Sequence, residues 1–152
     1  MKTLKTTFLA IMVSVTVWSC ATSLYDHFTF TETIETKTEA LSLIDKSDTP
    51  YSDSEVQITD LKNQMAKMVA YEKAKDKNEL TRKMWELISS DEHLMGSYLK
   101  LWEEKESLNP AFKEEAKIQI EKAFDLMILY EQKKDKTSKN ALNDFLNNVL
   151  LN

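Results

Sequence analysis

The sequence predicts an all-α fold, a helical bundle of about five or six segments, on three observations. Glycine occurs once (Gly96) and proline twice (Pro50, Pro110), and so few breakers among plentiful Lys, Glu, Leu, Ala and Met favour helices over sheets. After residue 27, apolar residues recur at spacings of three and four rather than alternating. The gaps between these stretches carry loop and cap signals, at Pro50, at Ser89-Ser90 and at Asn109-Pro110.

The opening stretch stands apart from the bundle. Met1 to Ser19 contains Lys2 and Lys5, no acid, and an apolar centre from Phe8 to Trp18, which is the layout of a secretory signal. That centre is shorter than the roughly 20 apolar residues a bilayer core requires. It ends at Val17-Trp18-Ser19-Cys20, and Cys20 is the one cysteine of the sequence. The tetrapeptide resembles the lipobox of bacterial lipoproteins, with a branched apolar residue at −3 and a small residue at −1; Trp18 at −2 departs from the commonest pattern. The resemblance covers residues 1 to 20. It implies a signal peptide at 1–19, acylation of Cys20 (palmitate among the chains), and a place in the bacterial cell envelope. By resemblance to lipoprotein sorting, Ala21 implies the outer membrane, facing the periplasm or the surface. Several acyl chains on one residue anchor a protein stably where a single chain does not. An ordinary secretory signal would instead leave Cys20 as a lone thiol in an oxidising compartment.

Residues 20–26 then form a lipidated cysteine and a short tether, and 27–152 a single helical domain. Loss of the first nineteen residues removes two lysines and no acid, so the net charge of −5 becomes −7. An acidic domain is a poor match for nucleic acid or for lying flat on anionic lipid.

Each element has its own justification. The first helix is expected from His27 or Thr29 to Lys46, with Phe30, Ile34, Leu41 and Ile44 on the buried side. Ser47 to Ser52, with Pro50, reads as a loop. The second helix starts with a Ser52/Glu55 capping box and a Tyr51/Val56 staple. It buries Ile58, Leu61, Met65, Met68 and Val69, while the charged tail Glu72 to Lys77 projects past the core. Around Asp76 to Asn78 the apolar stripe changes phase, which fits either a break or a bend. The third segment carries Leu80, Met84, Leu87 and Ile88. Ser89 and Glu92 offer a capping box to the fourth, which carries Leu94, Met95, Tyr98, Leu101 and Trp102. Asn109-Pro110 places an N-cap Asn before a proline at the first helical position. The fifth helix buries Phe112, Ala116, Ile120, Ala123, Phe124, Met127 and Ile128, continuing to Tyr130. Gln132 to Lys139 is a polar connector, and the last helix carries Leu142, Phe145, Leu146, Val149 and Leu150.

The residues hold no pattern for catalysis. A di-iron bundle needs Glu-x-x-His pairs, but three residues before His27 and His93 stand Leu24 and Ser90. Asp91-Glu92-His93 is dense in ligand types, yet adjacent helical residues point apart, and its acids complement a helix start. One cysteine excludes a haem-attachment motif, and one glycine excludes a phosphate-cradling loop. Metal, cofactor and enzymatic activity are therefore not expected. Surface recognition remains: Tyr71, Trp85, Trp102 and Tyr98 are the proposed partner-binding residues, because large amphipathic side chains are enriched at interfaces. Core packing is the competing role for each, and Tyr71 is the best outlier because it lies off the apolar stripe of its helix. The Lys133-Lys134-Asp135-Lys136 stretch reads as a solvated connector, the alternative being a contact with phosphates or peptidoglycan acids. The sequence thus points to an anchored, non-catalytic lipoprotein that binds a protein partner in an accessory or adaptor role. The alternatives are an inhibitor or immunity protein that blocks a toxin or hydrolase, and a bundle that carries a small ligand.

Overall fold

In the computed structural model, which describes residues 25–151, six helices share one core. They are α1 (His27–Asp45), α2 (Glu55–Lys73), α3 (Glu79–Ser89), α4 (Leu94–Lys105), α5 (Pro110–Lys133) and α6 (Lys136–Leu151). No strand occurs among the described residues, and the fold is an all-α bundle. The expected signal peptide, residues 1–19, and Cys20 lie outside the described residues. The core runs through Ile44, Leu61, Met68, Met84, Trp85, Leu99, Trp102, Phe124 and Leu142, all fully buried.

Several helix ends form as the sequence dictates. The Asp26 carboxylate accepts from the backbone N–H of Phe28 (2.9 Å) and Thr29 (3.2 Å), capping α1. Asp26 therefore belongs to the fold rather than to the tether. Asn109 Oδ1 accepts from Ala111 N–H (2.8 Å), with Pro110 opening α5. The phase change near Asp76 is a true break, because α2 stops at Lys73 and Lys77 adopts a positive φ of 68°. The connector after α5 is shorter than expected, and Lys134 closes that helix in the left-handed region.

Other expectations are corrected. The Ser52/Glu55 box does not form: a 3₁₀ turn over Tyr51–Ser54 precedes α2, and Ser54 occupies the cap position without a side-chain bond. Val56 is 75% exposed, so it makes no staple, and Tyr51 instead packs edge-on to Trp102 (5.6 Å between centroids). Before α4, Ser90 rather than Ser89 accepts from Glu92 N–H (3.1 Å), and Ser89 Oγ bonds back to the Trp85 carbonyl. On α5, Phe112 is not buried but 40% exposed, its ring stacked on Tyr98 (5.9 Å). Leu150 on α6 is likewise exposed.

The largest correction concerns α1. Its buried face is Thr29, Thr33, Thr36, Ala40, Leu43 and Ile44, while Ile34 is exposed and Phe30 and Leu41 are half-buried. The threonines fit because Thr33 and Thr36 donate to the carbonyls of Thr29 (2.6 Å) and Glu32 (2.7 Å), four residues back. A hydroxyl satisfied within its own helix leaves a compact methyl-bearing side chain to pack.

The end of the bundle that carries the α1–α2 and α4–α5 loops is tied by hydrogen bonds between those loops. Leu108 N–H donates to the Ser47 carbonyl (2.7 Å), Tyr51 N–H to the Glu106 carbonyl (2.9 Å), and Trp102 Nε1 to the Thr49 carbonyl (3.0 Å). Tyr98 Oη lies 2.5 Å from Ser47 Oγ. The turn from α3 to α4 is tight, and a Cβ on Gly96 would stand 2.3 Å from the Ser90 carbonyl oxygen and 2.6 Å from that of Ser89. Backbone cannot yield as a flexible side chain does, so Gly96→Ala is expected to cost about 1–3 kcal/mol. A urea midpoint unchanged from that of the parent would contradict this close approach.

Candidate functional site

The described residues contain one extended buried polar cluster, at the end of the bundle where α1 begins. Glu72, on the last turn of α2, is 1% exposed. Its carboxylate accepts from Thr29 Oγ1 of α1 (2.5 Å), from Lys75 Nζ (2.8 Å) and from Asn78 Nδ2 in the α2–α3 turn. Lys75 Nζ also donates to Asp26 Oδ2 (2.7 Å) and Thr29 Oγ1 (2.9 Å), which uses all three of its protons. Tyr71 Oη donates to Asp26 Oδ2 (3.1 Å), and its ring lies 4.6 Å beneath Lys75 Nζ. Asn78 and Thr81 then lead to a second buried carboxylate. Thr81 Oγ1 donates to Glu131 Oε1 of α5 (2.5 Å), and Lys134 Nζ reaches the same carboxylate at 2.7 Å. Four helices meet through this chain of bonds.

The chemistry of the cluster is structural. Burial alone would raise the Asp26 carboxyl, but bonds from Lys75, the Thr29 N–H and Tyr71 outweigh it and hold it at about 2. Burial likewise opposes the Lys75 charge, and its contacts with Asp26 and Glu72 win, moving the ammonium above its ordinary range. Every charge is therefore matched in place. No group of three or more His, Cys, Asp or Glu among the described residues is arranged to hold a metal. His27 is exposed with Nδ1 3.2 Å from Tyr25 Oη, and His93 sits half-buried at the start of α4.

The sequence-predicted partner-binding residues separate in the structure. Trp85 and Trp102 are fully buried and Tyr98 nearly so, because each fills the core: Trp85 meets Phe124 edge-on (6.2 Å), and Trp102 and Tyr98 secure the loops at the other end. Those three present no surface to a partner. Tyr71 is half-buried, stacked at a tilt on Phe28 (4.7 Å) and bonded to Asp26. Sequence reading missed Glu72 and Glu131, since a carboxylate in a charged tail resembles any solvated one. The available signal was the Glu72/Lys75 and Glu131/Lys134 pairs, each spaced three apart at the end of a helix.

The exposed apolar residues lie elsewhere. Ile34 of α1, with Leu41 and with Ile128 of α5, lines an open groove of about 760 Å³ along the α1–α5 seam. Lys37 lies at its edge, 2.6 Å from Asp125 and 3.1 Å from Glu121. Ile118 is 69% exposed on the Glu121–Asp125–Ile128 side of α5 by helical spacing. A second open groove, about 570 Å³, runs between α4, α5 and α6 past His93, Phe112 and Val149. No helix among the described residues is long and apolar enough to cross a membrane. No protein-family model matches the chain, and neither a curated protein nor a solved structure matches it.

Two outcomes follow from the cluster. Glu72→Ala leaves Asn78 and Lys75 short of an acceptor and should lower stability by about 3 kcal/mol; denaturant melts measure it. Asp26, depressed when folded, contributes stability that is complete above its unfolded value near about 4 and lost as pH falls towards about 2. The parent should lose about 1–2 kcal/mol over that interval beyond what Asp26→Asn loses, the figure being reduced for the carboxylate's partial exposure. Parallel stability curves for the two proteins from pH 5 to pH 2 would contradict this assignment.

Proposed function

We propose that the chain is a bacterial envelope lipoprotein, anchored through Cys20, whose helical domain binds a protein partner along the outer α1–α5 face and performs no catalysis. The observation that carries the reading is the placement of Ile34 and Ile118. Ile118 is 69% exposed, and Ile34, 39% exposed, lies beside half-buried Leu41 and Ile128. A packed helix pair has no folding reason to leave this row outside when threonines occupy its inner face. The Lys37, Glu121 and Asp125 charges beside the groove give a polar edge to an apolar strip, the anatomy of a recognition surface. The Cys20 anchor supports an envelope setting, most simply the outer membrane, and the acidity of the mature chain favours a basic partner by steering.

The test is site-specific photo-crosslinking in the native cell, with the crosslinker at residue 34 or 118 and a control at residue 56. The reading expects one protein captured from the first two sites and not from the third. Its identity then separates an assembly subunit from a toxin or hydrolase that this chain inhibits. Ile118→Asp, at the more exposed of the two sites, should weaken capture by about tenfold or more, equivalent to about 1.4 kcal/mol, and leave stability within about 0.5 kcal/mol. Equal capture from residue 56, or none from 34 and 118 in membrane-bound protein, would contradict the proposed face.

A further inference from the structure

The charges of this acidic protein are divided between its ends. The hydrogen bonds around Glu72 and Glu131 gather at one end the start of α1, the α2–α3 turn and the α5–α6 turn. Within residues 25–27, 72–86 and 131–139, nine Lys and Arg stand against seven Asp and Glu. After Ser19, the rest of the chain holds nine basic and eighteen acidic side chains. Of the seven acids at the basic end, Asp26, Glu72 and Glu131 pair in the buried cluster with Lys75 and Lys134, and Glu86 pairs with Lys73 and Arg82. Lys73, Lys77, Lys133, Lys136 and Lys139 remain exposed.

The same end carries exposed aromatic rings. Tyr25 is 53% and Phe28 40% exposed. Tyr25 lies 5.9 Å from the Phe30 ring, and Lys67 Nζ stands 5.5 Å from the Phe28 ring. Four residues separate Cys20 from Tyr25, and the five steps reach at most about 18 Å even when fully extended. Exposed Tyr and Phe beside lysines, a short tether away from an acyl anchor, match the chemistry of a bilayer interface.

From this we infer that the α1-start end of the bundle seats on the surface of the anionic membrane to which Cys20 tethers it, with Tyr25 and Phe28 entering the headgroup layer and the exposed lysines facing lipid phosphates. The inference rests on the lipoprotein reading and adds an orientation to it. The bundle stands end-on rather than lying flat, since its sides and far end are acidic. The 24-residue α5 then carries the Asn109 end roughly 36 Å outward, which leaves the α1–α5 face free along the bundle's flank.

The experiment uses the full lipidated protein reconstituted in phosphatidylethanolamine–phosphatidylglycerol vesicles containing nitroxide-labelled lipid. Tyr25→Trp and Phe28→Trp are compared with Val56→Trp at the opposite end; buried Trp85 and Trp102 contribute the same background to all three. The expected result is a blue shift and loss of the added emission at positions 25 and 28, with none at 56. Combining Tyr25→Trp with Lys73→Glu, Lys133→Glu and Lys136→Glu should restore most of that emission while the protein still floats with the vesicles and keeps its helical circular dichroism. Equal quenching at 25 and 56 in co-floating protein overturns the seating and leaves the anchor intact. Quenching at 25 that ignores the charge reversals overturns the electrostatic contact. Protein that fails to float overturns the anchor reading and, with it, this inference.

Discussion

Two buried carboxylates set the terms for one end of this molecule. An unpaired buried charge costs several kcal/mol, so Glu72 and Glu131 are tolerable only while donors from other elements reach them. Thr29, Lys75 and Asn78 supply Glu72, and Thr81 and Lys134 supply Glu131. Those donors come from α1, the turns and α3, and the two acceptors belong to α2 and α5. The requirement to satisfy the acids therefore fixes how four helices meet. Lys134 illustrates the linkage, because it accepts a left-handed backbone (φ 47°) and in return places its ammonium on Glu131 and over the Tyr130 ring.

The opposite end is built differently. There the loops are joined by backbone and indole hydrogen bonds around Ser47, Thr49 and Glu106, with no buried ion pair. The asymmetry has a consequence for charge. The three acids of the α1-start cluster pair with Lys75 and Lys134, and the exposed lysines beyond them form a basic rim beside Tyr25 and Phe28. Acids at the other end stay largely in solvent. A protein acidic overall thereby gathers basic residues at the end where α1 begins, and the inner threonine face of α1 leaves Ile34 on the flank.

Legibility from sequence followed burial chemistry. The apolar stripes of α2 (Ile58, Leu61, Met65, Met68) and α5 (Ile120, Ala123, Phe124, Met127) were readable because helical spacing and hydrophobicity agree there. The Asn109-Pro110 restart was readable because an N-cap Asn before a proline has little other use there, whereas Asp26, assigned to the tether, caps α1 unforeseen. On α1 the two signals conflict. Phe30 and Ile34 outrank threonine in hydrophobicity, yet Thr29, Thr33 and Thr36 are inside, since Thr33 and Thr36 bond back to their own helix and Thr29 bonds to Glu72. Glu72 was misread for a related reason: its burial depends on Thr29, 43 residues away in sequence, and on the turn that follows it. Trp85, Trp102 and Tyr98 looked like interface residues by type alone, and only the packing around Phe124, Thr49 and Ser47 assigns them to the interior. The exposed face and the charge polarity had no local sequence signature at all, because both depend on which helices become neighbours.

The functional account depends on the covalent state of residue 20, and intact mass spectrometry of the protein extracted from native membranes measures it directly. The account predicts a mature chain that begins at Cys20 and carries the added mass of its acyl chains. A chain beginning elsewhere, or a Cys20 recovered as an unmodified thiol, would contradict it and remove the membrane from the explanation of the aromatic, basic end.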